Sequence, residues 1–136
     1  MTPALFKIAD TPEKMAKLNV NIIQKAIQQI GLAPTKAKNL KKMALQIIES
    51  DGLHDDWNYL ESLAGVGHKT ASVVMSQWYN HPAFPVDTHI HRCAQRWGLS
   101  SGKNVKTTEN DLKKLFPEKE WNKLHIQIIM YARNYC

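Results

Sequence analysis

A Gly-x-Gly turn set between two apolar helices constrains this chain more than any other feature. In LESLAGVGHKTASVV, residues 60–74, the side chains of Leu60, Leu63, Val66, Ala71 and Val74 stand where two helices crossing at a hairpin need apolar contact. Glycine permits positive φ and lets a ligand approach the backbone closely. The amides of Gly65, Val66 and Gly67 are expected to face outward beside the N-terminus of the next helix. Partial positive charge and unpaired N–H groups make that a phosphate site. On the other side, the backbone carbonyls of Glu61, Leu63 and Val66 are a candidate site for a monovalent cation bridging to the same phosphate. A long cation, Lys69, follows at once.

The rest of the chain reads as all-helical. Thr11 caps a helix with Pro12 at its first position, and Asn19 caps a second that Gly31 ends in a left-handed conformation. The third, from Pro34 to Gly52, buries Ala37, Leu40, Ala44, Ile47 and Ile48. Asp56 caps the helix that leads into the hairpin, with Trp57, Leu60 and Leu63 inward. The helix after the hairpin packs through Ala71, Val74, Met75 and Trp78. HPAFPVD, residues 81–87, is a loop, since two prolines leave little room for regular structure. Asp87 opens the next helix and Gly98 stops it. Another is capped by Thr107 or Thr108, and the last carries Trp121, Leu124, Ile128 and Ala132 inward. No segment alternates with period two for long enough to be a strand. The proline loop is the expected boundary between residues 1–82, with the hairpin at about 56–79, and residues 83–136.

Charge points to a polyanionic partner. The chain of 136 residues has a formal net charge of +6. Residues 1–50 hold eight lysines against Asp10, Glu13 and Glu49, whereas Asp51, Asp55, Asp56 and Glu61 follow without a nearby Lys or Arg. That asymmetry predicts one basic face. Two distant cysteines, Cys93 and Cys136, are no disulfide framework, and no apolar run approaches membrane-spanning length. The expectation from composition is a soluble intracellular chain whose partner is nucleic acid first and an anionic membrane surface second. Its setting would be the cytoplasm or nucleoid in a bacterium, and the nucleus or an organelle in a eukaryote.

LESLAGVGHKTASVV followed by FPVDTHIHRCAQRWGL resembles the helix–hairpin–helix DNA glycosylases, in particular the endonuclease III family. The likeness runs from about Asp10 to the last residue. It implies an all-α helix–hairpin–helix glycosylase fold, here a partial helical barrel plus a partial second helical lobe, with the active cleft between them. It also implies base-excision repair by a monomer that binds double-stranded DNA with a damaged base or abasic site, and no membrane: removal of oxidised pyrimidines, then nicking at the abasic site. Lys69 matches the family's nucleophile and Asp87 its carboxylate. Gly65, Val66, Gly67, His68 and Thr70 match the hairpin that holds DNA. Leu32 in QIGLAPTKA matches the leucine that enters the duplex when a base is flipped out, and it reads equally as a hydrophobic C-cap contact. His89 matches the family's VDTH histidine, which approaches the lesion strand. Lys36, with Lys38, Lys41 and Lys42, is a candidate phosphate contact.

The lysine makes chemical sense. An amine of ordinary pKa, about 10.4, is protonated and inert at neutral pH. Partial desolvation, nearby cations and a helix N-terminus disfavour the ammonium. A neutral amine attacks C1′, displaces the base and leaves an imine, which permits β-elimination on the 3′ side. Asp87 can take a proton and stabilise positive charge on the sugar. Relatives that only remove the base lack the amine and use activated water.

Three departures from the family pattern stand out. Ala64 replaces the usual hairpin proline. The chain starts partway through the family's usual length, so a core barrel helix is expected to be missing and apolar surface exposed. ARNYC approaches the family's first iron–sulfur ligand at Cys136, but the other three cysteines are absent and one thiolate cannot hold a four-iron cluster. No cofactor is expected in this chain. The alternatives are a non-catalytic helix–hairpin–helix DNA-binding module, an inactive fragment, or a glycosylase without lyase activity.

Overall fold

The computed structural model describes residues 2–135; Met1 and the candidate iron–sulfur ligand Cys136 lie outside the described residues. Among these residues there is no strand. The chain forms two compact units, residues 1–66 and 67–136.

In the first unit, α1 (Thr2–Ile8), α2 (Pro12–Lys17), α3 (Val20–Ala26), α4 (Ala33–Glu49) and α5 (Trp57–Ser62) follow one another. The Thr11 hydroxyl accepts from the Lys14 amide, the Asn19 side chain from Asn21, and Asp56 from Tyr59, so three predicted caps hold. Ile23, Ile27, Ala37 and Ala44 meet Leu5, Ala9 and Met15 in its core. The helix at the start of the chain was not expected. The helix expected over 19–31 is shorter, and its left-handed residue is Leu32, at φ 62, rather than Gly31. Gly52 closes α4 as expected, at φ 109, with its amide donating to Ile47. An apolar groove of about 230 Å³ runs between Leu5, Phe6, Met15, Leu40 and Ile47.

The second unit contains α6 (His68–Gln77), α7 (Thr88–Arg96), α8 (Val105–Leu115), a 3₁₀ turn (Glu118–Glu120) and α9 (Trp121–Tyr135). Phe84, Val86, Ile90, Cys93, Leu112, Ile128 and Ala132 form its core. The boundary between units falls at the hairpin, not in the proline loop at 81–86. That loop is irregular, as expected, but Ala83, Phe84, Pro85 and Val86 are buried, and Phe84 and Val86 belong to the second core.

Three further expectations change. Trp78 is 76% exposed: the buried stripe of α6 is Ala71, Ser72, Met75 and Ser76, and Trp78 falls beyond it at the helix end. Asn104, not Thr107 or Thr108, caps α8, its Oδ1 accepting from the Thr107 amide at 2.7 Å. Thr108 is instead buried, with its hydroxyl against His91 Nδ1 at 2.8 Å. Trp121 and Leu124 are only half-buried, because the inward stripe of α9 runs through His125, Ile128 and Ala132.

Candidate nucleic-acid interface and catalytic residues

In the first unit, α5 and the turn after it are tied down by one side chain of α4. Gln46 donates from Nε2 to the Ser62 carbonyl at 3.2 Å and accepts at Oε1 from the Ala64 amide at 2.8 Å. Gly65 then turns at φ 80, and a Cβ there would lie 3.2 Å from the Asn39 Cβ. Both the left-handed backbone and the crowding demand glycine. The Val66 amide does not face outward as expected: it donates to the Leu63 carbonyl at 3.1 Å and closes the turn. That bond uses one lone pair of a carbonyl assigned to the candidate cation, whose other partners were Glu61 and Val66. Gln46 and Asn39 were missed. Nothing in the local sequence marks them, since α4 mixes lysines and other polar residues with its apolar ones.

In the same unit Leu32 is 75% exposed at φ 62 and ψ 31. A branched side chain in the left-handed region is uncommon, and this exposure excludes the hydrophobic C-cap contact. Lys36, Lys38 and Lys42 are exposed on α4, and Lys41 is partly buried.

The second unit begins at Gly67, the N-cap of α6. Its φ is −101, nothing lies within 4 Å of a built Cβ, and no side chain caps the helix. The backbone conformation here does not demand glycine, and the space beside it is open. His68, Lys69 and Thr70 form the first turn of α6, all exposed. First-turn amides have no intrahelical partner and sit at the positive end of the helix dipole. The desolvation expected around Lys69 is not supplied by the chain, since its side chain stands in solvent; the dipole remains. His68 Nε2 meets Glu109 Oε1 at 3.0 Å and Oε2 at 3.3 Å, and Lys113 approaches the same carboxylate at 3.9 Å. Glu109 is buried on α8, and nothing in its local sequence marks it as a hairpin residue.

Asp87 is half-buried at the N-cap of α7, where Oδ1 accepts from the Ile90 amide at 2.8 Å. His89, one residue into α7, accepts at Nδ1 from Arg92 at 3.3 Å. Behind them His125 is 2% exposed. Burial lowers its pKa below the ordinary histidine value, and the Asp87 charge opposes that shift in part. The Gln77 amide nitrogen lies within reach of the Ser76 hydroxyl, the Asn122 carbonyl and His125 Nε2, the last at 3.2 Å. His125 Nδ1 is buried without a hydrogen-bond partner.

Among the described residues, no three His, Cys, Asp or Glu side chains stand together as a metal-ligand set. Cys93 is buried in the second core. The described residues do not fit an iron–sulfur cluster. No helix among them is long and apolar enough to cross a membrane.

The sequence pattern of the HhH-GPD superfamily base excision DNA repair proteins matches residues 1–118. Endonuclease III of Treponema pallidum (strain Nichols) is 40% identical over 137 residues, covering 99% of this chain and 65% of that protein. Endonuclease III of Bacillus subtilis (strain 168) is 36% identical over 139 residues, covering 100% of this chain and 64% of its own length. The chain thus spans about two thirds or slightly less of these relatives. A solved trapped endonuclease III–DNA covalent intermediate superposes with a TM-score of 0.93 at 34% identity, over 99% of this chain and 65% of that one. A non-covalent endonuclease III–DNA complex gives 0.94 at 34% identity, over 99% and 64%.

Proposed function

Since this chain belongs to the HhH-GPD superfamily of base excision DNA repair proteins, we propose that it is a DNA glycosylase with abasic-site lyase activity, acting on oxidised pyrimidines in duplex DNA. The observation that carries this reading is an exposed lysine in the first turn of α6, directly after the open N-cap Gly67. The solved relative trapped as a covalent protein–DNA intermediate supports the same chemistry here.

In this reading Gly65, Gly67 and the first-turn amides of α6 receive a phosphate, with the carbonyls of Glu61, Leu63 and Val66 available to a monovalent cation. His68, Thr70 and Lys36 add contacts to the backbone, and His89 faces the lesion strand. Leu32 fills the space that the flipped base leaves. DNA itself supplies the desolvation that Lys69 lacks in the chain alone. Its neutral Nζ bonds to C1′ as the glycosidic bond breaks and the base departs with a proton. Asp87 stabilises the positive charge on the sugar, takes the proton that the amine loses and returns it to O4′ as the C1′–O4′ bond opens, which leaves the lysine joined to C1′ as a protonated imine. The imine acidifies C2′; loss of that proton expels the 3′ phosphate and nicks the strand, and water then releases the enzyme.

The test is a duplex carrying one oxidised pyrimidine, run on a denaturing gel with and without alkali. A strand break without alkali is expected, and Asp87→Asn should lower its rate by at least about a hundredfold. Breaks that appear only after alkali would mean base removal without lyase activity. Binding with no base release would mean a DNA-binding module.

A further inference from the structure

One side chain of α9 joins the two segments that carry Lys69 and Asp87. Asn122 accepts at Oδ1 from the Ala83 amide at 3.0 Å and donates from Nδ2 to the Ser76 carbonyl at 3.4 Å. Ser76 belongs to the last turn of α6, whose carbonyls have no intrahelical partner. Ala83 opens the buried run Ala83–Val86 that ends at Asp87. Its amide is buried, and a buried N–H left without a partner is costly. Gln77 reinforces the junction: its amide nitrogen reaches the Asn122 carbonyl at 3.4 Å and His125 at 3.2 Å. Phe84 packs beside His125, with ring centroids 6.4 Å apart.

We propose that Asn122 is a positioning residue, holding the end of the Lys69 helix and the segment that delivers Asp87 in one register. The proposal rests on the lyase reading above, because it gives the register a catalytic purpose. The action of Asn122 runs through the backbone at residues 76 and 83.

Two variants test it. Asn122→Ala removes both bonds, whereas Asn122→Asp keeps an acceptor for the Ala83 amide. Two readouts are needed: amide hydrogen exchange over residues 83–87, and the rate of borohydride trapping on abasic duplex at saturating DNA, with Kd measured alongside. Asn122→Ala should exchange about fivefold faster over 83–87. Its trapping rate should fall about tenfold to a hundredfold, because small misplacements of reacting groups are expensive, while Kd stays within about twofold. Asn122→Asp should restore most of both. Exchange and rate within about twofold of wild type in Asn122→Ala would overturn the proposal. So would a Kd that weakens as much as the rate falls, or an Asp variant no better than Ala. A wild-type chain that never traps would sink the lyase reading and the catalytic purpose with it; the exchange arm then still decides whether Asn122 holds the segment.

Discussion

At Gly65 the backbone stands at φ 80 with the Asn39 side chain against its α-carbon; at Gly67 the backbone is ordinary and the space above it open. The two substitutions to alanine should therefore separate. Gly65→Ala should cost about 1–2 kcal/mol in urea unfolding, from left-handed strain and crowding. Gly67→Ala should stay within about 0.5 kcal/mol of wild type in stability, yet weaken binding to an abasic duplex, because the added methyl stands where a phosphate approaches. Leu32 presents the opposite balance. Its left-handed conformation holds strain of about 1 kcal/mol, which Leu32→Gly should return as stability. The same variant should excise a paired lesion more slowly while nicking a pre-formed abasic site almost normally, since that site has no base to flip. Equal losses on both substrates would remove Leu32 from the wedge role. The caps at Thr11, Asn19, Asp56 and Asp87 were legible in sequence because capping is settled within three residues. Leu32 was legible only as one of two readings, since the exposure that decides between them depends on the packing of α3 and α4.

At the scale of elements, helical periodicity located the helices after Thr11 but missed α1 and misplaced some faces. The α9 stripe carries His125 where Trp121 and Leu124 were expected, because a histidine at a core register reads as polar until its partners are known. Partners distant in sequence were equally hidden: Gln46 under the hairpin turn, Glu109 on His68, and Asn122 between Ser76 and Ala83. Each bond spans between 18 and 46 residues. The buried His125 makes a pH prediction. Its pKa is lowered in the folded state, so the unfolded chain binds more protons below the ordinary histidine value of about 6.5. Stability should therefore fall as pH drops below about 6.5, by up to about 1.4 kcal/mol per pH unit from this group. Urea unfolding of wild type and His125→Gln at pH 5.5 and 7.5 checks it. The variant should lose less stability than wild type on acidification; equal losses would mean that His125 does not contribute.

At the scale of the whole molecule, the basic balance and the hairpin point to DNA together, and the fold that carries them matches solved DNA complexes of endonuclease III. Binding should weaken with salt as phosphates shed counterions. If Lys36 contacts one phosphate, Lys36→Ala should reduce the slope of log K against log salt by about 0.9. An unchanged slope would place Lys36 on a merely solvated face. In the proposed mechanism these contacts serve one central event, attack by Lys69 at C1′. The most direct measurement is borohydride trapping on a duplex with a single abasic site, comparing wild type with Lys69→Gln. Borohydride reduces the imine to a stable amine, so wild type should give a covalent protein–DNA band that Lys69→Gln lacks while remaining folded and bound to DNA. A band of equal yield from Lys69→Gln, or none from a folded, DNA-bound wild type, would contradict the account.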